Sequence, residues 1–273
     1  MADDGRLAGR GIGLVRAGNP GPKTLTGTNT WVVADGEGAW VVDPGPDLDA
    51  HLDAVAAAVA DAGGLAGVAL THRHEDHAAG VAGLLRRTGP APLASRSGWV
   101  PEGAPEGTTA LTVAEGDLAG PFAVHETPGH ASDHVVFRSG DALFAGDTVL
   151  GTGSVLLVPH AGALAGYLAA LERLRALDLA VLLPGHGPVV DDPPAKLDEY
   201  LAHRRDRERR LVDALDAGLR SADELLDRVW DDAPGILRLA AAVTLRAHLD
   251  KLADEGRLPD GVELQDFGGF DGL

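Results

Sequence analysis

Residues 71–77 read Thr71-His72-Arg73-His74-Glu75-Asp76-His77 and directly follow an apolar run at residues 65–70. The run predicts a buried strand, and the turn after it can bring several potential metal ligands together. A helix would separate His74 from the other ligands, whereas a turn can direct one pair to one metal and one pair to a second. Four ligands at this spacing do not close around a single ion, so further ligands are expected elsewhere. The four are His72, His74, Asp76 and His77.

Three later positions meet this requirement. Each ends a short apolar run and lies beside a glycine, where a strand opens into a sharply bent loop. A single histidine in an apolar run is more often a hydrogen-bonded core residue than a ligand. Three such strand ends in addition to the first cluster favour a metal site, because ligands at several strand ends make a rigid centre. The positions are His130, Asp147 and His186.

The order His-x-His-x-Asp-His, then separate His, Asp and His residues, resembles the metallo-β-lactamase superfamily of dinuclear metallohydrolases. Further segments resemble the β-lactamase-like branch that includes a mitochondrial endoribonuclease, and the similarity spans roughly residues 14–258. These segments are Asn19-Pro20-Gly21-Pro22, Gly27-Thr28-Asn29-Thr30, Val42-Asp43-Pro44-Gly45, Pro128-Gly129-His130 with Asp133-His134, Pro184-Gly185-His186-Gly187-Pro188 and Tyr200-Leu201-Ala202-His203-Arg204.

The resemblance implies a centre that holds two metal ions and a hydroxide between them, which attacks the substrate. Zinc is the expected metal because of its preference for imidazole, although iron or manganese would also suit these nitrogen and oxygen donors. At matching positions, the first ion is expected to bind His72, His74 and His130. The second is expected to bind Asp76, His77 and His186, with Asp147 bridging the two ions.

Other residues are assigned roles around this centre. Asp76 and His134 are expected to act in catalysis, and His134 would face the substrate as a proton donor or oxyanion stabiliser. Asp43 ends a strand, and we expect it to orient a ligand histidine from behind. Asn29 and Thr30 have either a role near the site or a structural role in a turn.

The composition narrows the class of protein. The chain contains no cysteine, which excludes disulfides and thiolate zinc sites. The first five residues have neither a basic region nor an apolar core, so no secretion signal is expected. No apolar run approaches the roughly 20 residues of a membrane span. We therefore predict a cytoplasmic protein that does not act at a membrane; the sequence leaves its oligomeric state open.

Short apolar runs alternate with helical patterns, which predicts a mixed α/β fold. The resemblance makes this an αββα metallo-β-lactamase sandwich over residues 1–194, followed by a small helical winged-helix-like domain over residues 195–273. Strands are predicted at residues 12–15, 30–34, 39–43, 65–70, 110–113, 122–127, 135–138, 142–145 and 180–183. Helices are predicted at residues 49–62, 79–88, 164–176, 195–217 and 236–255, with a loop at residues 89–109.

The C-terminal region contains two further signals. Ser221 and Glu224 have the spacing of a capping box, which predicts the start of a helix. The stretch Arg204-Arg205-Asp206-Arg207-Glu208-Arg209-Arg210 is either a solvated helix face with internal ion pairs or a contact for anions. The formal net charge is −18, and residues 195–258 contain 12 Lys and Arg against 14 Asp and Glu. The strong negative charge therefore lies in the part that carries the predicted metal ligands.

Three functions fit the sequence. The first is phosphodiester hydrolysis of single-stranded RNA, with the arginine-rich stretch holding the backbone. The second is hydrolysis of a small-molecule thioester, in the manner of glyoxalase II, or of an ester. The acidic charge favours it, because a nuclease should have a basic track. The third is a winged-helix-like binding protein whose metal is purely structural. Hydrolysis of a β-lactam is disfavoured by the expected bridging Asp147 and by the absence of cysteine.

Overall fold

In the part of the chain that the structure describes, eleven short strands form the sheets, nearly all of them at the apolar runs of the sequence. The computed structural model describes residues 7–36 and 38–264, so the N-terminal six residues and the C-terminal tail at 265–273 lie outside the described residues. The strands are β1 (Ile12–Arg16), β2 (Asn29–Asp35), β3 (Gly38–Val42), β4 (Leu65–Ala69), β5 (Pro92–Ser95), β6 (Thr109–Thr112), β7 (Leu118–Ala119), β8 (Phe122–Glu126), β9 (Val135–Ser139), β10 (Ala142–Gly146) and β11 (Val181–Pro184).

These strands make two mixed sheets. The first has the order β1-β2-β3-β4-β5-β6, and the second has the order β11-β10-β9-β8-β7. In the first sheet β3, β4, β5 and β6 are parallel neighbours, whereas β1, β2 and β3 are antiparallel. In the second sheet only β10 and β11 are parallel. Each parallel pair brings two carboxyl-terminal strand ends to the same edge.

A common apolar core joins the two sheets. Trp31 on β2 packs edge-on against Phe144 on β10, with ring centroids 6.3 Å apart. Trp40 on β3 packs in the same way against Phe122 on β8, at 6.0 Å. All four rings are at most 6% exposed, and edge-to-face contact is a favoured aromatic geometry. The sheets therefore pack face to face, as the predicted sandwich requires.

Helices cover the other face of the first sheet. Helix α1 (Asp49–Asp61) and helix α3 (Val81–Thr88) form a second apolar cluster with this sheet, and the one-turn helix α2 (Glu75–Ala78) lies between them in sequence. Leu52, Val55 and Val59 lie on one face of α1 and are fully buried, which explains the helical spacing of its apolar residues.

The chain divides into two compact units. The first holds the described residues up to Glu126, Asp133–Gly153 and Asp178–Asp192, and it contains every strand. The second holds Thr127–Ser132, Ser154–Leu177 and the described residues from Pro193 onward. Its helices are α4 (Ala163–Arg175), α5 (Pro193–Asp216), α6 (Ala222–Val229), a 3-10 turn (Gly235–Leu237) and α7 (Arg238–Asp254). The division predicted at residue 194 stays a prediction.

A capping box and an apolar cluster stabilise the helices of the C-terminal region. Ser221 caps α6: its hydroxyl accepts from the backbone N–H of Glu224, whose carboxylate accepts from the backbone N–H of Ser221. This is the predicted capping box. An apolar cluster that includes Leu211, Leu225 and Leu249 joins α5, α6 and α7. Among residues 7–36 and 38–264, no helix offers the long apolar stretch that crossing a bilayer requires.

Several details differ from the prediction, and among them the short elements α2 and β7 were not predicted. The loop predicted at residues 89–109 contains β5, a central strand of the first sheet. Pro92 takes the first position of that strand, where a missing N–H is tolerated, and Leu93 and Ala94 are fully buried. The high Pro and Gly content of this region concealed the strand. The last predicted helix, at residues 236–255, begins as a 3-10 turn before α7.

Candidate metal centre

The candidate ligands of the first unit follow the ends of parallel strands. Since β3 pairs with β4 and β10 pairs with β11, their carboxyl-terminal ends share sheet edges. A backbone hydrogen bond of 2.9 Å from the N–H of Gly185 to the carbonyl of Gly146 fixes the last two ends against each other. Asp43 follows β3, residues 71–77 follow β4, Asp147 follows β10, and His186 follows β11.

Three side chains of this unit, those of Asp76, His77 and His186, bring their donor atoms together, and Asp147 lies beside both histidines. His77 Nε2 lies 3.2 Å from His186 Nε2, and Asp76 Oδ2 lies 3.1 Å from His186 Nε2 and 3.7 Å from His77 Nε2. The two oxygens of Asp147 lie 3.5 Å from His77 Nε2 and from His186 Nε2 respectively. Ligand atoms about 2.0–2.2 Å from a tetrahedral zinc are about 3.3–3.6 Å apart. The donor set therefore fits one divalent ion.

Asp147 also approaches a ligand of the other predicted ion. One donor atom each of His72, His77 and Asp147 lies within 4.8 Å of the other two, and all three residues are buried. His72 belongs to the predicted first position and His77 to the second. Asp147 is thus close to a ligand of each position, as a bridging carboxylate must be.

Asp43 orients one of these histidines directly. His77 Nδ1 lies 2.9 Å from Asp43 Oδ2 and is in position to donate its hydrogen to it. In the neutral ring that a metal requires, this hydrogen bond places the lone pair on His77 Nε2, the atom that faces the other donors. Asp43 is 1% exposed, and its φ of +52° is a conformation that aspartate tolerates better than most residues. This is the contact expected of Asp43.

The same carboxylate reaches a second histidine through Thr71. Asp43 accepts from the Thr71 N–H at 2.8 Å through Oδ1 and from the Thr71 hydroxyl at 2.8 Å through Oδ2. Because that hydroxyl donates its hydrogen to Asp43, it can only accept a hydrogen bond from His72 Nδ1, which lies 3.0 Å away. The lone pair of His72 is then on Nε2, which lies 3.0 Å from His74 Nδ1. Asp43 therefore sets the tautomer of His72 as well as that of His77.

Burial and the neighbouring charges shift the pKa values of these side chains in opposite directions. Burial lowers the pKa of His77, but the carboxylates of Asp147, Asp76 and Asp43 outweigh it and hold this pKa well above its usual range. His186 is likewise opposed by burial, yet Asp147 and Asp76 raise its pKa to about 9. The pKa of Asp76 falls to about 2, because His77 and His186 outweigh the effect of burial. Protons on these imidazoles balance the carboxylates, and a divalent cation would supply the same charge.

Glycine beside the ligands is required by close packing. A Cβ on Gly185 would lie 2.6 Å from Asp147 Oδ1 and 2.6 Å from His77 Cε1. A Cβ on Gly146, whose φ is +46°, would lie 2.6 Å from the Thr71 hydroxyl. Contacts this short are not found for real Cβ atoms, so a side chain at either position would displace the ligands. The glycines noted in the sequence thus leave room for the donor cluster.

His130 belongs to the second unit, where its own contacts define its ring. Its Nδ1 lies 2.8 Å from the carbonyl oxygen of Leu156, so Nδ1 carries the hydrogen and donates it. This tautomer leaves the lone pair on Nε2, the arrangement of a metal-ligating histidine whose other nitrogen is held by a carbonyl. The side chain is buried, at 8% exposed.

The family follows from comparison with known proteins. A family model described as "Metallo-beta-lactamase superfamily" matches residues 24–186, more than half of the chain. The chain belongs to this superfamily. A second model, "Beta-lactamase associated winged helix domain", matches residues 221–259, which include α6 and α7. The predicted metallo-β-lactamase fold and the predicted winged-helix region at the C-terminus are both confirmed.

Individual superfamily members match over most of their length. A "Beta-lactamase-like protein 2 homolog" from Caenorhabditis elegans is 30% identical over 260 residues, which are 87% of this chain and 82% of the relative. A metallo-beta-lactamase family protein from Thermus thermophilus is 26% identical, with a TM-score of 0.69, over 90% of this chain and 94% of that one. A third protein, solved "in a di-iron-bound form", is 29% identical with a TM-score of 0.50, over 63% of this chain and 92% of that one.

The catalytic role of His134 stays a prediction, and its hydrogen bonds in this metallo-β-lactamase fold define what its ring contacts. Its Nε2 accepts from the backbone N–H of Asp147 at 3.0 Å, and its Nδ1 lies 3.2 Å from the Thr148 hydroxyl. The ring is 1% exposed and stacks on His72, with centroids 4.8 Å apart. A ring that accepts a backbone N–H is neutral at that nitrogen and cannot also donate a proton from it to a substrate. The geometry favours a role in holding Asp147 in place.

Two residues of the site escaped the sequence analysis or were left open there. Thr71 precedes the histidine cluster and joins Asp43 to His72; its only signal was its place in the motif. Asn29 donates through Nδ2 to the carbonyls of Pro184 at 3.0 Å and Gly187 at 2.9 Å. It therefore holds the loop that carries His186, which is the structural alternative considered for it.

Proposed function

We propose that the protein is a metal-dependent hydrolase with two metal ions, and that zinc is the metal it uses. The convergence of Asp76, His77 and His186, with Asp147 at 3.5 Å from both histidines, carries this proposal, because hydrogen bonding alone does not require two imidazoles and two carboxylates to converge. The di-iron-bound relative supports two ions in a centre of this type. In this proposal His72, His74 and His130 hold the first ion, Asp76, His77 and His186 hold the second, and Asp147 bridges them.

Bound metals supply the chemistry that the side chains lack: two ions lower the pKa of a water towards neutrality and stabilise the attacking and leaving oxygens. The chain's own residues hold the donors in place. Asp43 keeps the lone pairs of His72 and His77 on Nε2, and His134 holds the backbone of Asp147. In the metal-free protein Asp76 and Asp147 are ionised at neutral pH, because His186 and His77 hold both pKa values below their usual range, so both carboxylates are available as ligands.

The substrate we propose is an ester or a thioester of a small molecule. The arginine-rich stretch does not form a free cationic surface, because its members are paired within the second unit. Arg205 pairs with Glu172, Arg209 with Asp206 and Asp213, and Arg210 with Asp231. Arg204 and Arg207 are buried, at 2% and 7% exposed. A protein with a net charge of −18, whose one arginine-rich stretch is neutralised in this way, suits an acyl substrate better than RNA.

A substrate panel tests this proposal. Zinc-loaded protein would be assayed with a glutathione thioester, a p-nitrophenyl ester, bis(p-nitrophenyl) phosphate, single-stranded RNA and a chromogenic cephalosporin. Asp147→Ala serves as the inactive control. Turnover of the thioester or ester that is lost in Asp147→Ala supports the proposal. Cleavage of RNA or of the phosphodiester without acyl turnover would assign the phosphodiester function. Zinc that raises the Tm without any turnover would favour a metal-stabilised binding protein.

A further inference from the structure

Arg204 is a buried cation without a carboxylate partner. It lies on α5 with 2% of its surface exposed, and among the described residues no Asp or Glu side chain lies within ion-pair distance of it. The four other arginines of the stretch each pair with a carboxylate. Burial lowers the pKa of Arg204, and the phenol groups of Tyr167 and Tyr200 oppose this effect. Removing a charge from water is costly, so a buried arginine at this position suggests that its contacts have a specific role.

The guanidinium holds the segment that orients His130. Arg204 Nη2 donates to the Ser154 hydroxyl at 3.1 Å and to the carbonyl oxygen of Val155. The next carbonyl along the chain, that of Leu156, accepts from His130 Nδ1 at 2.8 Å. Val155 and Leu157 are buried on either side of Leu156, so the peptide that faces His130 is fixed from both directions.

A second route leads from Arg204 to the same histidine. The guanidinium carbon lies 5.6 Å from the ring centroid of Tyr167 on α4, in cation–π geometry. Tyr167 also packs on Gly129, the residue before His130. A Cβ on Gly129 would lie 2.6 Å from Tyr167 Cβ, and the φ of Gly129 is +153°. The backbone of Gly129 is thus packed on the residue that Arg204 contacts.

We infer that Arg204 is a positioning residue for His130: it fixes the Leu156 carbonyl and the Gly129 backbone, and together these hold the His130 ring with its lone pair on Nε2. This inference rests on the proposed function, in which His130 is a metal ligand. It also gives α5 a role in holding a predicted metal ligand, because α5 lies in the same unit as the segments that carry His130 and Leu156.

A purely structural role for Arg204 is the competing explanation, and Arg207 provides a matched control for it. Arg207 is on the same helix, is 7% exposed and also donates to a backbone carbonyl, that of Val229. It lies over the Trp230 ring at 5.6 Å and pairs with Asp232. Its contacts lie around the end of α6, away from the segment that holds His130. A general loss of packing would affect both arginine variants.

The experiment compares full-length wild type, Arg204→Met, Arg204→Lys and Arg207→Met. Long-range ¹H–¹⁵N spectra of the metal-free proteins report the His130 tautomer, with the signal assigned by His130→Gln. Competition with a chromogenic chelator gives the number of zinc ions per chain and their Kd values. We expect a single Nδ1–H tautomer in wild type and in Arg207→Met. In Arg204→Met we expect a mixture of tautomers and about a tenfold weaker Kd for one zinc ion, with a smaller change in Arg204→Lys.

The outcomes separate this inference from the proposed function. An unchanged His130 tautomer and unchanged zinc Kd in Arg204→Met would overturn the inference, and so would equal changes in Arg207→Met. If Arg204→Met does not fold, Arg204→Lys is judged by the same criteria, because it keeps a buried cation but loses the fork of donors. If His130→Gln still binds two zinc ions with wild-type Kd values, His130 is not a ligand and the proposed function fails. The tautomer would then still test Arg204 alone.

Discussion

Replacement of Asp43 by asparagine should weaken the binding of both metal ions through a change of hydrogen-bond direction alone. Asp43 accepts three hydrogen bonds, two from Thr71 and one from His77. Asparagine has nearly the same shape and tolerates a positive φ, so the backbone at +52° is not disturbed. The substitution removes one acceptor and introduces an NH₂ donor in its place.

Either orientation of the new amide conflicts with its neighbours. If the amide oxygen faces the Thr71 N–H, the NH₂ group faces His77 Nδ1 and the Thr71 hydroxyl. His77 must then carry its hydrogen on Nε2, and the hydroxyl turns to donate to His72 Nδ1, which moves the hydrogen of His72 to Nε2 as well. If the amide is flipped, its NH₂ group opposes the backbone N–H of Thr71, which costs about 1–3 kcal/mol.

The expected loss of zinc affinity follows from what hydrogen bonds that orient metal ligands typically contribute. Loss of a partner that orients a metal ligand typically lowers metal affinity 10- to 100-fold, which corresponds to about 1.4–2.7 kcal/mol for each ion. Chelator competition would measure both zinc Kd values for wild type, Asp43→Asn and Asp53→Asn. Asp53 is the control because its exposed carboxylate pairs with Arg87 at 2.7 Å and does not touch the site. Wild-type Kd values for both zinc ions in Asp43→Asn would refute the reasoning.

Three further predictions test separate parts of the centre. Thr71→Val removes only the relay to His72, so one zinc Kd should weaken about tenfold while the other stays within about twofold of wild type; equal loss at both positions in a chelator titration would contradict this. Gly185→Ala places a methyl group against His77, so we expect elemental analysis to give at most one zinc ion per chain. Two zinc ions per chain would show that the donor side chains can move to make room for the methyl group. His186 has a pKa raised to about 9, above the unfolded value of about 6.5. Its contribution to the stability of the metal-free protein is therefore complete below about pH 6.5 and lost as the pH rises to about 9. Over the same range zinc affinity should rise at least about tenfold per pH unit, because zinc displaces the proton of His186 and also that of His77, whose pKa is raised as well; a flat affinity profile by calorimetry would contradict the sign.

The sequence could place the candidate donors at strand ends because their pattern is local. The cluster at residues 71–77 and the glycine-flanked positions of Asp147 and His186 are visible as strand ends, and strand ends of parallel pairs meet in space. The strands themselves followed from apolar runs, except the two-residue β7 and β5, where Pro92 and its neighbours concealed a buried strand.

Side-chain pairing over long separations in sequence was harder to predict. His134 has the position of a catalytic histidine in the motif, but whether its Nε2 faces a substrate or the N–H of Asp147 depends on a loop fold that no periodicity encodes. The arginine-rich stretch has the composition of an anion-binding surface. Its partners include Glu172 on α4 and Asp231 just after α6, so its neutralisation becomes visible only in the fold.

The stoichiometry of bound metal tests the central claim most directly. Elemental analysis of wild type and Asp147→Ala after zinc loading and desalting would give the number of zinc ions per chain. A centre in which Asp147 bridges two positions predicts two zinc ions per wild-type chain and no more than one in Asp147→Ala. A wild-type chain that never binds more than one ion, or an Asp147→Ala chain that keeps two, would contradict the account.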